Sequence, residues 1–416
     1  MDKIWYSFDF ETSDTNKYSC KFDRIIMSKF QVKPFKILDT YETTWGRKKS
    51  SSGSRAKIIG ALRSSHPKVA HNADFDLFLA RHRLQWIVRG EIHDTFLMAK
   101  HFNNNFPAYD LKSLAWYFFG DTYQPLLALR DWAHENGLIG EDDDKFDMTE
   151  FPDDLVRKYC THDVHITAKL TAKFYPKVCN NYAYQMDTNL ITPIMNMQNE
   201  GITVDLDFYR EFVRKGSRRI KDNRKKAAER MDTDRNPMGD ALRDHLEDLG
   251  ESRRTATNKV KSSEEVLRDW KNRDSAVASV QRVRKDTKSV GTYAKAFLSV
   301  CRNYEGSVGN FKPSLMQSGA ATRRFRAFNY FNLYIKTKGN SQNIPLPMRE
   351  GIIVPKGFGL WKFDLASIEA RLAAHLASHL LGFDDFSEMY RKDDNFNLYL
   401  HIVKNCTGHD NVTKKD

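Results

Sequence analysis

The chain has 416 residues and a mass of 48.4 kDa, enough for two or three domains. Hydrophobic residues make up 40% of it and aromatic ones 12%, and no run approaches the ~18 apolar residues of a membrane span, which excludes transmembrane and fully disordered classes. A net charge of +12 and a pI near 9.2 point to a polyanionic partner, because Lys and Arg release counterions from phosphates on binding.

The first predicted strand runs from Ile4 to Phe8 and leaves no room for an export signal. The five cysteines (Cys20, Cys160, Cys179, Cys301, Cys406) form no C-x-x-C pair and read as reduced thiols in a cytosolic setting. A hydrophobic stretch follows around Ile25 to Val32, then helical periodicity over Phe75 to Arg83 and Leu111 to Phe119. Asp153 to Tyr175 predicts an amphipathic helix with acidic residues in its first turn and Pro176 just past its end. The alternation makes this an α/β domain. A helical stretch from Thr188 leads through Glu200-Gly201 into a short strand at Ile202 to Asp205, where a new domain begins. Residues from Leu206 to about Val283 are charged and mostly helical, with basic concentrations at Arg214-Lys215, Arg218-Arg219 and Arg224-Lys225-Lys226. The last third is mixed, with a strand at Gly359 to Phe363 running into a helix from Ser367 to Leu380. There is no internal repeat, and Lys48 to Ser54 reads as a solvated loop.

Three acidic constellations punctuate the first domain. Asp9 and Glu11 lie two apart on a strand, so both carboxylates share one face, and such a pair repels itself unless a hard cation such as Mg²⁺ or Mn²⁺ lies between. Asn72-Ala73-Asp74-Phe75-Asp76 stands at a helix start, with Asn72 as its expected cap and Asp76 facing the same cavity. Tyr159 and Asp163, spaced i and i+4, share a helical face.

In this order and spacing, D-x-E, N-x-x-F-D and Y-x-x-x-D resemble the three exonuclease motifs of the DnaQ-like 3′-to-5′ proofreading exonucleases found in family A DNA polymerases. The stretch from His93-Asp94-Thr95 to Asp110-Leu111-Lys112-Ser113-Leu114-Ala115 is similar to the segment that this family carries between its second and third motifs. The resemblance implies an RNase H-like (DnaQ-like) exonuclease domain over 1–185 with two Mg²⁺ ions, replaceable by Mn²⁺. Asp9 would bridge both ions, Glu11 and Asp163 would complete the tighter one, and Asp76 would hold the second partly through water. One ion lowers the pKa of the attacking water and the other stabilises the leaving 3′ oxygen. Tyr159, with Glu11, would orient that water, since a phenol of pKa about 10 stays protonated at neutral pH.

Further on come Thr322-Arg323-Arg324, Ser341-Gln342-Asn343-Ile344-Pro345 and Phe363-Asp364-Leu365-Ala366-Ser367-Ile368-Glu369-Ala370-Arg371. The last resembles motif A of family A DNA polymerases, and the Q-N-I-P element, Glu200-Gly201 with Val204-Asp205, and Thr292-Tyr293 fit the same family. The resemblance implies a largely helical thumb over 186–300 and a partial α+β palm over 301–416. Asp364 would ligate both ions of nucleotidyl transfer, and Glu369 would sit beneath the incoming sugar and exclude a 2′-OH. Arg324 would reach the minor groove at the primer terminus, Asn343 and Gln342 would help place the DNA, and Arg214 to Arg230 would meet phosphates.

Several positions depart from the family pattern. Arg323 replaces the glycine of T-G-R, and Asn258 replaces the glycine of a thumb loop that Arg254-Thr255-Ala256-Thr257 resembles. The aromatic stretch Phe328, Tyr330, Phe331 and Tyr334 is expected to be buried rather than stacked on nucleotides. His375 and His379 are structural, because the helix lacks H-E-x-x-H. After motif A, Asp394 to His401 resembles the approach to the fingers, and the sequence reaches Asp416 without the fingers helix or the second palm carboxylate. One carboxylate cannot hold two catalytic ions, so polymerisation is expected only with a second polypeptide carrying the fingers and the remaining palm. The expectation is thus the N-terminal part of a split, phage-like polymerase, cytoplasmic, acting on primer-template DNA and dNTPs. The alternatives are a stand-alone exonuclease whose remnant polymerase region holds DNA, and a non-catalytic DNA-binding scaffold.

Overall fold

The computed structural model describes residues 3–46, 52–138, 147–302, 304, 306–331, 336–393 and 396–408. Two compact units divide the chain, Met1–Ile353 and Val354–Asp416.

The first unit opens with a five-stranded sheet of order β3-β2-β1-β4-β5, made of β1 (Ile4–Thr12), β2 (Phe22–Gln31), β3 (Lys36–Thr44), β4 (Lys68–Ala70) and β5 (Ile92–Asp94). β1 is central, antiparallel to β2 and parallel to β4. Its even residues Tyr6, Phe8 and Phe10 enter one core with Ile58 and Leu62 of α1 (Ser52–Arg63) and Leu77 of α2 (Asp74–Phe78). Its odd face, with Trp5, joins a second core with Met98 of α3 (Thr95–Phe102), Leu114 of α4 (Leu111–Phe119), Leu129 of α5 (Gln124–Glu135) and Ile166 of α6 (Asp153–Val178). Burial on both faces explains why β1 reads as a continuous apolar run rather than an alternating one.

Helix α6 overruns its predicted end, with Pro176 inside the last turn. A proline there forfeits one helical N–H, and Cys179 N still donates to Tyr175 O at 2.9 Å. The helix predicted from Phe75 to Arg83 starts as α2 and ends in a wide five-residue π turn, Leu79–Arg83. Of the loop predicted at Lys48 to Ser54, residues 48–51 lie outside the described residues and 52–54 begin α1.

Helix α7 (Tyr182–Glu200) leads into a four-stranded antiparallel sheet of order β6-β7-β8-β9: β6 (Ile202–Asp205), β7 (Val308–Met316), β8 (Arg326–Phe331) and β9 (Lys336–Lys338). Between β6 and β7 rises a helical arm of α8 (Leu206–Arg230), α9 (Asp240–Asp248), α10 (Glu264–Trp270), α11 (Ser275–Thr287) and α12 (Lys295–Val300). Leu242, Leu246, Val266, Val277 and Val280 form its core. Gly216 lets α8 approach closely, since a Cβ there would lie 2.4 Å from Val290 Cγ2. Tyr209, Phe297, Phe311 and Tyr330 join the arm to the sheet, and Tyr209 Oη donates to Met348 O of α13 (Leu346–Arg349) at 2.7 Å. Tyr330 and Phe331 are buried as expected, Phe328 is exposed, and Tyr334 lies outside the described residues.

In the second unit α14 (Ile368–Leu381) packs Ala370 and Ala374 against Tyr390 of α15 (Asp385–Lys392), with Leu398 of α16 (Leu398–Thr407) alongside. The strand predicted at Gly359 to Phe363 is not formed: among the described residues no ladder pairs with it. Of the segment predicted at Asp394 to His401, 394–395 lies outside the described residues and Leu398 onward is helical. No described helix is long and apolar enough to cross a membrane.

Candidate active site

Strand alternation decides where the first acidic pair points. Asp9 and Glu11 fall on the odd face of β1, the face covered by α6, and Ile26, Cys160 and Val164 pack at that junction. Glu11 is 7% exposed and Asp9 is half-buried. A register shift between Glu11 and Thr12 ends the regular ladder with β2 just past the pair.

The second motif arrives by a different route from the one predicted. Asn72 does not cap α2: the cap position is Ala73, which makes no side-chain cap hydrogen bond, and Asn72 itself adopts φ 59°. Asp94 holds this turn. Its carboxylate accepts from Asn72 N at 3.0 Å, Ala73 N at 3.0 Å and Phe96 N at 2.8 Å, so one side chain caps α3 and fixes the entry to α2. Asp76, buried in α2, then accepts from Phe10 N at 2.9 Å, which ties it to the strand between Asp9 and Glu11.

The third motif stands on α6 as expected, with Tyr159 and Asp163 both buried on one face. Two neighbours escaped the sequence reading. Tyr123, at the start of α5, donates from Oη to Asp163 Oδ1 at 2.7 Å, a contact across forty positions that no local pattern signals. Cys160 lies i to i+3 from Asp163, a spacing that could have flagged it, and its Sγ lies 3.6 Å from Asp9 Oδ2.

Burial dominates the electrostatics. It pushes the Asp76 carboxyl up to about 8, with Asp94 and Asp74 adding to the rise against the Phe10 N–H. Asp9 is raised by burial and then by Asp76, Asp163 by burial and then by Asp9. Glu11 is raised by burial and then by Asp9, Asp163, Asp76 and Asp23, all acidic. Cations do little to relieve this: Lys112 acts on Asp163, while Arg24 is held by Asp23, Glu42 and Asp153. Four crowded carboxylates with little positive charge near them fit a divalent cation bound through oxygen. Tyr159 is raised by burial and then by Asp163 and Glu11, so its hydroxyl stays protonated.

The remaining predicted residues lie elsewhere. Arg324 is exposed on the loop between β7 and β8, and Asn343 is exposed in a 3₁₀ turn, Ser341–Asn343. Gln342 spends its Oε1 accepting from Ala327 N at 3.1 Å, which anchors that turn to β8. Asp364 and Glu369 belong to the second unit and are exposed.

Both glycine replacements occupy left-handed backbone. Asn258 has φ 59° and Arg323 φ 60°. Asparagine tolerates this conformation well, whereas arginine pays for it. Arg323 is held there by Nη1 on His101 Nδ1 at 2.7 Å and Nη2 on Lys100 O at 3.0 Å. Asn104 Nδ2 donates to Ala321 O at 2.8 Å and Gln317 Nε2 to Asp187 O at 3.0 Å, so the whole loop is pinned to α3 and α7.

No family model matches the chain. It is 28% identical over 331 residues to DNA polymerase I of Chloroflexus aurantiacus, an alignment covering 75% of this chain and 33% of that protein. The POL domain of Pol1 from M. smegmatis, solved in complex with DNA primer-template and dNTP, is similar in fold, with a TM-score of 0.68 at 15% identity over 99% of this chain and 65% of that one. The chain therefore spans a third of its relative's length. Its sequence is similar to that of a DNA polymerase I, and its fold is similar to that of a polymerase domain.

Proposed function

We propose that this chain is the N-terminal subunit of a split family A DNA polymerase, supplying 3′-to-5′ proofreading hydrolysis and part of the polymerase site. One observation carries the reading: β1, α2 and α6 bring the half-buried Asp9 together with the buried Glu11, Asp76 and Asp163, with Tyr159 beside them. The order β3-β2-β1-β4-β5, with only the first three strands antiparallel, supports an RNase H-like exonuclease domain.

Mg²⁺, when bound, would lower the pKa of the attacking water and offset charge on the departing 3′ oxygen. Asp9, Glu11, Asp76 and Asp163 would hold it. Tyr159 donates its hydroxyl proton as a hydrogen bond to orient the water, and Tyr123 fixes the rotamer of Asp163. The helical arm holds duplex DNA. Within its basic stretch Arg214, Lys215 and Arg219 are paired with Glu211 or Asp286, whereas Arg218, Lys221, Arg224 and Lys226 form no ion pair among the described residues and meet phosphates.

The polymerase half is completed in trans. Asp364 sits among Trp361, Phe363 and Leu365, all exposed, and α14 exposes Leu372, Leu376, Leu380 and Leu381. An apolar run of this kind belongs in a sheet covered on both faces. A second polypeptide with the fingers and remaining palm covers it.

Single-turnover cleavage of a 5′-labelled single-stranded oligonucleotide tests the exonuclease. Mg²⁺-dependent shortening from the 3′ end, lost in Asp9→Ala with DNA binding retained, is expected. Equal cleavage by both proteins overturns the assignment, and no cleavage by either favours a scaffold.

A further inference from the structure

We infer that the outer face of α4 and the adjoining edge of α6 form a track for single-stranded DNA leading away from the acidic cluster, its bases stacking on Trp116 and Tyr117 and its phosphates meeting Lys169, Lys173 and Lys177. The track rests on the 3′-to-5′ reading of that cluster and adds a seat for the strand behind the terminal nucleotide.

Helix α4 starts at Asp110, whose carboxylate accepts from Ser113 N at 2.9 Å, and it buries Leu114 and Ala115. The same helical phase turns Trp116 and Tyr117 outward, 66% and 55% exposed. A cavity of about 390 Å³ lies against this face, with Phe106, Lys112, Trp116, Tyr117 and Tyr123 among its walls. That size suits a nucleotide-sized ligand. Tyr123 also donates to Asp163, so cavity and acidic cluster share a wall. Lys112 Nζ stands 6.0 Å from the centre of the Tyr159 ring. Asp121, the cavity's one acidic lining residue, is paired with His162 at 3.1 Å.

The lysines come from α6. Lys169, Lys173 and Lys177 recur every four residues, about 6 Å apart along the helix, and all three are exposed. Their ammonium groups lie over the rings of Phe119, Phe118 and Phe102, at 5.8, 4.7 and 4.9 Å from the centroids. This aromatic layer lines the ammonium groups up without neutralising them. The ion pairs of α6 belong to Arg157, Lys158 and His162 in its first half, and among the described residues the three lysines form none. Phe106 joins the two parts, since its ring in the cavity wall lies 5.4 Å from Phe118 and 6.1 Å from Phe102.

Charge and exposed rings together select the partner. Ammonium groups attract the phosphates of any nucleic acid, whereas rings in water gain only from bases whose faces are free. A duplex hides those faces in its own stack. An acidic peptide would engage the lysines and leave Trp116 and Tyr117 without a role. An unpaired DNA strand uses both, and the wall shared with Asp163 puts the track beside the cluster proposed to cleave that strand.

The test is fluorescence anisotropy of 5′-labelled oligothymidylates of about four and about sixteen nucleotides on the full chain, in metal-free buffer so that nothing is cut. The wild type is expected to bind the longer strand at least about tenfold more tightly. Trp116→Ala should lose at least about fivefold of that gain, and Trp116→Phe, which keeps a ring, should restore most of it. The variant combining Lys169→Ala, Lys173→Ala and Lys177→Ala should lower the slope of log affinity against log salt by about 2. A labelled duplex should bind all four proteins alike, through the helical arm. Equal affinity of the wild type for both lengths, or an unchanged salt slope in the lysine variant, overturns the track. So does a polyglutamate peptide that displaces the longer strand as readily from Trp116→Ala as from the wild type. Added Mg²⁺ separates the two readings: length-dependent binding without cleavage sinks the exonuclease and keeps the track, and cleavage without length dependence sinks the track alone.

Discussion

The carboxylates around Asp9 and the carboxylate of Asp364 occupy opposite environments within one chain. Asp9, Glu11, Asp76 and Asp163 come from three separated stretches of sequence and converge in one cluster, half-buried at Asp9 and buried at the other three, held by Phe10 N, Asp94 and Tyr123. Asp364 lies on an exposed, unpaired segment flanked by Phe363 and Leu365, which are 89% and 70% exposed. An acidic site becomes a metal site when its surroundings hold the acids together against their repulsion. By that measure the described residues gather acidic groups around Asp9 and gather no such cluster around Asp364.

The sharpest way to break the comparison is to remove one carboxylate from each. Asp9→Ala is expected to lower the rate of 3′-to-5′ cleavage by about 10³-fold or more, because several kcal/mol of charge stabilisation are lost. Asp364→Ala in the isolated chain should leave that rate unchanged. Single-turnover kinetics checks both, and equal losses would erase the distinction.

A smaller effect follows from proton linkage. The Asp76 carboxyl titrates near 8 in the folded protein against about 4 when unfolded. Its contribution to stability is therefore full below about pH 4 and is lost as pH rises through 8. The metal-free protein should melt at lower temperature at pH 8.5 than at pH 5.5, and Mg²⁺ should raise the midpoint more at pH 8.5. Asp76→Asn should raise the metal-free midpoint at pH 8.5 and shrink the Mg²⁺ gain. Thermal melts with and without Mg²⁺ decide it, and a gain independent of pH would count against the crowded carboxylates as ligands.

The pinned loop offers a third contrast. Arg323→Ala loses the bonds to His101 and Lys100 and keeps the left-handed backbone, at a cost of about 2 kcal/mol. Arg323→Gly loses the same bonds and relieves the backbone, so it should fall within about 1 kcal/mol of wild type. In both variants, hydrogen exchange over 317–324 should quicken. Denaturant melts that rank glycine below alanine would show that the backbone at 323 carries no strain.

The smallest expected effect comes from the exposed segment. Phe363→Asp should change the stability of this chain by less than about 0.5 kcal/mol, since the side chain is already in water. It should lower the binding of a hydrophobic dye and prevent a complementing chain from restoring extension.

Which features could be read from the sequence depends on how local their causes are. The shared face of Asp9 and Glu11 and that of Tyr159 and Asp163 follow from strand and helix periods within a few residues, and both stand as expected. Asn72 was expected to cap a helix, yet its backbone is committed to Asp94, which lies 22 positions away. Tyr123 reaches Asp163 through the packing of α5 on α6, which no nearby residue announces. The strand at Gly359 to Phe363 has strand-like residues and no described neighbour to pair with, and strand propensity without a ladder is insufficient. The replaced glycines were legible as departures, but only the backbone angles reveal that Asn258 and Arg323 keep the conformation a glycine would adopt.

The most direct measurement gives this chain alone a 5′-labelled primer on a longer template, with Mg²⁺ and all four dNTPs, and resolves the products on a denaturing gel. Shortening of the primer without any extension is the expected result, with extension restored by a polypeptide that supplies the fingers and remaining palm. Extension by the chain alone would contradict the division of the two sites, and a primer left intact would contradict the exonuclease.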